Sequence, residues 1–430
     1  MLARSLSAVL ARRNVHYGWV VIAATFFSGL VMAGAVGLPG AFILPLSKEF
    51  GWDNAQISSA LAIRFLLFGF MGPFSAALIE RYGVRRIVFT AQILVFCGLA
   101  GALTMTAFWQ LFVYWGLMIG IGSGLTALVL SAIVSSRWFT ARRGLVIGML
   151  TAATATGQLV FLPLATWLID KYGWRVALGP SMTAIGLAAL AVFLLVVDRP
   201  ADVGIAPYGE ANVQPAPVAS PAGNAVARAF GGLREAMGAP AFWLLAGSFF
   251  ICGLSTNGLV QTHFIPMCVD FGMAAVAAAS VLAVMGMFDF VGTIGSGYLS
   301  DRIDSRKLLF WYYGLRGLSL LWLPTSTFTV YGLSVFAVFY GLDWIATVPP
   351  TVKLTGYVFG REKAGLVFGW IFASHQVGSA MAALGGGLSR TWLLTYAPAF
   401  YIAGASCLIA AVMSLMIGRG RAAKPVPVVA

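Results

Sequence analysis

The stretch Glu80-Arg81-Tyr82-Gly83-Val84-Arg85-Arg86 decides how this chain is read, because Asp301-Arg302-Ile303-Asp304-Ser305-Arg306-Lys307 answers it 221 residues further on. The same shift relates Pro45 to Pro266, Phe50-Gly51 to Phe271-Gly272 and Gly120 to Gly341. It also relates Gly144-Leu145-Val146 to Gly365-Leu366-Val367, Gly148 to Gly369 and Gly157 to Gly378. One constant offset across so many points means two copies of one structural unit.

Composition says what kind of unit. Sixty per cent of the 430 residues are hydrophobic and only 10% are charged. A soluble protein is about half apolar and a quarter charged. This much apolar surface needs a bilayer, and an all-α membrane protein follows. Twelve apolar segments can be read, at 17–46, 55–79, 84–105, 108–136, 144–169, 174–197, 241–268, 274–299, 307–325, 329–352, 364–389 and 394–417. Six precede and six follow the one long polar break, which contains a Pro/Ala-rich stretch at 213–222 and reads as a flexible linker. The expected organisation is a bundle over 1–197, a linker over 198–240 and a second bundle over 241–430. The first run is too long for a signal-peptide core and reads as a retained helix.

The net charge of +13 is a matter of topology. With the N-terminus placed in the cytoplasm, 20 Lys and Arg fall on that side, against Lys48, Lys171, Arg175 and Arg390 on the other. The positive-inside rule therefore expects both termini in the cytoplasm, in a plasma-type membrane such as a bacterial inner membrane. Nucleic acid is not an expected partner. The four Cys (Cys97, Cys252, Cys268, Cys407) lie in apolar segments without metal-ligand spacing and read as packing residues. Pro39, Pro45, Pro73, Pro163, Pro266, Pro349 and Pro350 interrupt the segments, which is tolerated where neighbours or a cavity satisfy the freed backbone.

The duplicated basic motif resembles the loop 2–3 signature of the major facilitator superfamily, G-x-x-x-D-R-x-G-R-R. Ala76 stands for its first Gly and Glu80 for its Asp, and the second copy keeps Gly297 and Asp301-Arg302. The resemblance implies twelve transmembrane helices in two six-helix halves that rock about a central site. It also implies a conformational latch made by Glu80, Arg81, Arg85, Arg86, Asp301, Arg302 and Arg306. Within the superfamily, Tyr17-Gly18-Trp19, the run Trp138-Phe139-Thr140-Ala141-Arg142-Arg143-Gly144-Leu145 and Phe288-Asp289 resemble the monocarboxylate transporter and oxalate–formate antiporter branch. That branch places an Arg four residues after the Asp, where this chain has Thr293, and many members carry a Lys in the first helix, where residues 34–42 hold no charge.

An ionisable group at mid-bilayer costs roughly 2.5–3.5 kcal/mol on insertion scales, so each is a candidate site. Arg64 lies about nine residues into the second segment, roughly 14 Å deep at 1.5 Å per residue. It is expected either to grip a substrate carboxylate, replacing the absent Arg, or to bind Asp289 or a carbonyl at a helix break. Asp289 reads as the proton-coupling acid, the alternative being a permanent pair with Arg64 or Arg316. Arg316 and Asp343 are expected to pair across the hairpin of the ninth and tenth segments, and Lys353 to snorkel. His375 and Gln376 in the eleventh segment, and Asn257, Gln261 and His263 in the seventh, are candidate substrate-lining groups. A buried His satisfied by a neighbour is the other reading of His375.

No nucleotide loop, catalytic triad or metal cluster is legible, which argues against an enzyme, an ATP-driven pump and any metal or cofactor. The leading expectation is a monomeric secondary transporter that moves a small organic anion, a carboxylate, by alternating access coupled to protons. An efflux antiporter for larger amphipathic compounds and a non-transporting membrane ligand sensor are the alternatives.

Overall fold

A computed structural model describes residues 2–126, 128–210, 212–213 and 225–418. Twelve helical rods follow one another: α1 (Gly18–Phe50), α2 (Asn54–Tyr82), α3 (Val84–Leu103), α4 (Phe108–Leu125, continued by Leu128–Trp138), α5 (Arg143–Tyr172) and α6 (Trp174–Leu195). After the linker come α7 (Pro240–Asp270), α8 (Ala275–Arg302), α9 (Ser305–Trp322), α10 (Ser334–Phe359), α11 (Arg361–Leu393) and α12 (Ala397–Met416). Among the described residues, nine of these rods are long and apolar enough by themselves to cross a membrane. The other three are α5, α9 and α11. In α9 the cause is visible: Arg306, Lys307 and Arg316 fall within its 18 residues.

The turns between rods are set by local chemistry. Asp53 starts α2 with a capping box, its Oδ1 accepting from the Gln56 N–H at 2.7 Å while the Gln56 side chain accepts from the Asp53 N–H at 3.1 Å. Gly51 ends α1 at φ 70°, a left-handed conformation that suits glycine.

The sequence repeat reappears as repeated packing. A Cβ on Gly157 in α5 would stand 2.1 Å from the Leu30 carbonyl of α1, and one on Gly378 in α11 would stand 2.0 Å from the Phe250 carbonyl of α7. Only glycine lets those backbones approach so closely. At the far end of α1, Glu49 pairs with Arg175 at 2.5 Å, and its repeat mate Asp270 at the end of α7 pairs with Arg390 at 2.6 Å.

The halves meet along α2 and α11, along α5 and α8, and between the far ends of α1 and α7. On the face opposite the chain termini, the Ala55 N–H donates to Thr391 Oγ1 and Asn54 Nδ2 to Tyr396 Oη, each at 3.2 Å.

The linker is more structured than its composition suggests, because its start and end find partners. The Tyr208 N–H donates to the Trp138 carbonyl at 2.8 Å, and the N–H groups of Thr140 and Ala141 donate back to the Tyr208 carbonyl. Asp198 accepts from the Arg85 N–H at 2.9 Å. A helix, Ala225–Met237, lies on α11, where the Trp370 indole donates to the Ala229 carbonyl. The Pro/Ala-rich 213–222 falls almost wholly outside the described residues.

Candidate functional site

The mid-depth polar groups sit where helices are interrupted. In α10, Pro349 and Pro350 lack the N–H groups that would serve the carbonyls of Ile345 and Ala346, so residues 344–347 unwind. Each freed group finds a partner. The Val348 N–H turns back to the Ile345 carbonyl at 2.9 Å, and Ser296 Oγ of α8 donates to the Ala346 carbonyl at 2.5 Å. Arg316 Nη2 of α9 donates to the carbonyls of Asp343 at 2.6 Å and Trp344 at 3.1 Å. The Ile345 N–H donates to Asp289 Oδ1 at 2.8 Å, and Thr293 Oγ1 donates to the same oxygen at 3.1 Å.

Two of the candidate charges are thereby assigned opposite situations. Arg316 is buried and saturated. Its Nε pairs with Asp343 Oδ2 at 2.6 Å, and its Nη1 reaches Cys252 Sγ at 3.0 Å. Cys252, which also contacts Thr347 Oγ1 at 3.3 Å, therefore does more than fill space. Asp289 is 5% exposed and forms no ion pair with Arg64 or Arg316. Its hydrogen-bond partners are a backbone amide and the hydroxyl of Thr293, the position where the family resemblance led one to expect Arg.

Arg64 is 2% exposed. Its Nη1 donates to the Val36 carbonyl at 2.7 Å, next to the break that Pro39 makes in α1, and its guanidinium lies 4.5 Å over the Phe65 ring. This is the helix-break alternative stated above. No carboxylate pairs with it among the described residues, and its Nε has no acceptor. It lines a narrow slot with Ala35, Leu38, Pro39, Leu99, Trp115 and Ile119. Arg64 thus belongs to the wall shared by α1 to α4, and Asp289 to the α8–α10 contact in the other half.

The remaining candidates divide. His375 is sandwiched by Phe249 and Phe372, with ring centroids at 4.8 and 5.8 Å, and its Nδ1 accepts from Gln376 Nε2 at 3.3 Å. Gln376 is fully buried where α11 crosses Gly69 of α2. His263 donates to the Ala383 carbonyl at 2.7 Å and Gln261 is buried nearby on α7, so these four side chains lie within helix contacts. Asn257 is half-buried, and its amide makes no hydrogen bond among the described residues.

The basic motifs make links inside each half. Asp301 pairs with Lys353 of α10 at 3.6 Å, Lys353 Nζ also donates to the Ser300 carbonyl, and Arg306 pairs with Asp304 at 2.9 Å. Arg302 stacks on Tyr298, Arg85 on Phe193 and Arg81 on Tyr82, while Glu80 and Arg86 are exposed. Lys353 is therefore a partner of the motif. None of these links crosses between the halves among the described residues.

Ser296 at the α10 turn, and a hydrogen-bonding role for Cys252 beyond packing, are not marked by any sequence motif of their own. The one available signal was the Pro349-Pro350 pair, which requires acceptors and donors to be supplied to the turn before it.

Comparison with known proteins agrees with this architecture. The family model of the Major Facilitator Superfamily matches residues 23–383, and the chain belongs to that family. It is a multi-pass membrane transporter. Monocarboxylate transporter 13 of Rattus norvegicus is 27% identical over 91% of this chain and 87% of its own length. The uncharacterized MFS-type transporter YcxA of Bacillus subtilis is 25% identical over 93% and 95%. The crystal structure of a D-xylose–proton symporter superposes with a TM-score of 0.70 at 14% identity, over 93% of this chain and 97% of that one.

Proposed function

We propose that this protein carries a small organic anion, a carboxylate, together with a proton, by alternating access. The supporting observation is a pair of buried, opposite charges that the protein leaves without ionic partners, Arg64 and Asp289. Each is expensive alone in a low-dielectric interior. A carboxylate compensates the first and a proton the second, so an acid and its proton together relieve both. Relatives named monocarboxylate transporters support the same cargo class.

In this reading 1–197 and 241–430 are the moving bodies and 198–240 ties them, with both termini cytoplasmic in a plasma-type membrane. Arg64 anchors the anion and Asp289 holds the proton. Asn257, with a free amide, is the strongest of the polar lining candidates.

The test is lumenal acidification in proteoliposomes containing a pH dye, challenged with mono- and dicarboxylates, aromatic acids and the matching amides. Acidification by one class of acid, above protein-free leakage, is expected. Asp289→Asn is expected to keep anion exchange but lose its dependence on a pH gradient. Silence of the wild type across all acids removes proton–carboxylate symport, and unchanged pH dependence in Asp289→Asn removes the coupling role.

A further inference from the structure

We infer that the carboxylate binds inside the N-terminal half, in the slot between α1 and α4, held by the Arg64 guanidinium and the Trp115 indole N–H as paired donors. This rests on the carrier reading above and names its anion site.

Arg64 Nε and Trp115 Nε1 are both fully buried N–H groups without an acceptor, and both side chains line the same slot. Buried donors are almost always satisfied, so two orphans in one space point to an acceptor-only ligand. The rest of the lining (Ala35, Leu38, Pro39, Leu99, Ile119) is apolar, which suits the hydrocarbon part of a small acid.

The internal repeat strengthens the case. Gly120 packs on Arg64 as Gly341 packs on Met285, so Met285 occupies the matching place in the other half. The mate of Trp115 at the same offset is Phe336. The fold therefore accepts Met and Phe at these two places. The polar pair is a property of one half alone and not a requirement of the architecture.

Both long walls of the slot are irregular helix. Trp115 and Ile119 lie in a π-helical stretch of α4, Phe112–Ile119, and Leu38 and Pro39 form the break in α1. π-helical turns concentrate at functional sites. As it stands the slot is too narrow for a free water molecule. Movement of the α1 break, whose Pro39 has no N–H to tie it to the preceding turn, is the way in.

The experiment follows thermal unfolding of the full chain in detergent, at constant ionic strength, with propionate, benzoate and succinate against propionamide and chloride. At least one carboxylate should raise the melting temperature where propionamide and chloride do not. Trp115→Phe should shift that titration to concentrations roughly 10- to 100-fold higher, the loss expected for one hydrogen bond to a charged group, read relative to the variant's own anion-free melting temperature. If Trp115→Phe does not fold, Leu99→Phe fills the slot from α3 and should abolish the anion effect. An unchanged titration in either variant, no carboxylate effect in the wild type, or equal stabilisation by chloride overturns the assignment. Should proton-coupled flux persist with an unchanged KM in Trp115→Phe, the carrier reading stands and the anion site lies elsewhere.

Discussion

Arg64 and Arg316 are the same side chain at nearly the same burial, yet they meet different surroundings. Arg316 has a carboxylate, two carbonyls and a thiol around it, whereas Arg64 has one carbonyl and one aromatic face. A guanidinium offers five N–H donors, so Arg64 keeps capacity that Arg316 has spent. A third charged group, Asp304 in the α8–α9 loop, shows what an exposed position does instead. It caps α9 by accepting from the Arg306 N–H at 2.9 Å. Burial alone would raise its carboxyl, but the hydrogen bonds from the Arg306 side chain and backbone, with the charges of Arg306 and Lys307, outweigh that and hold it below the usual carboxylate range. A lowered carboxyl stabilises the fold above the unfolded value and loses that contribution as pH falls through the folded one. Asp304→Ala should therefore weaken the first turn of α9 by about 1 kcal/mol at neutral pH. Hydrogen exchange of the α9 amides should show the difference shrinking as pH drops below about 4. A difference independent of pH would mean that the charge of the cap is not what matters.

Among the elements, α10 carries the clearest consequences. Its unwound turn is held by side chains from three other helices, Cys252 of α7, Asp289 and Ser296 of α8 and Arg316 of α9. Removing one member of the buried pair leaves the other charge uncompensated. Arg316→Met should destabilise the protein by about 3–5 kcal/mol, and Arg316→Met with Asp343→Leu should recover part of that, read from unfolding in detergent. A double variant no more stable than Arg316→Met would show that the carbonyl contacts, not the ion pair, dominate. The Arg316–Asp343 partnership was legible because a hairpin brings facing positions of consecutive helices together. The proline pair likewise announced a break in α10, and the repeat announced the duplicated bundle. A carbonyl at a helix break was among the expectations for Arg64, but which backbone group serves each charge was not legible. The Ile345 amide at Asp289 and the Val36 carbonyl at Arg64 belong to no residue type, so no pattern of side chains names them. The π-helical stretches in α4 and α7 leave no periodic mark either, since their apolar residues read equally well as α-helix. The strap at Tyr208 was hidden inside a composition that suggests a flexible tether, because its order comes from the loop it pairs with.

For the whole molecule, two similar halves packed face to face can expose a central site to one side only if contacts at the other side hold, and to the second side only if they release. Here the face opposite the termini is held shut. Gly40 of α1 abuts the Gln261 and Thr262 carbonyls of α7, and Gly387 of α11 abuts Ser58 of α2. A Cβ on Gly387 would stand 2.7 Å from the Ser58 Cβ. A disulfide needs about 3.5–4.5 Å between those atoms, so easing α2 and α11 apart by about 1 Å is enough to accept one. With Ser58→Cys and Gly387→Cys together, oxidation should form the bond and cut transport at least roughly tenfold, since this contact must open for the site to reach that face. Reduction should restore the rate, and the rate of each single variant should be the same under oxidising and reducing conditions. Full transport by protein shown to be cross-linked would mean that α2 and α11 stay joined through the cycle. The opening at this face would then have to occur between α1 and α7, or between α5 and α8, with α2 and α11 as its fixed axis.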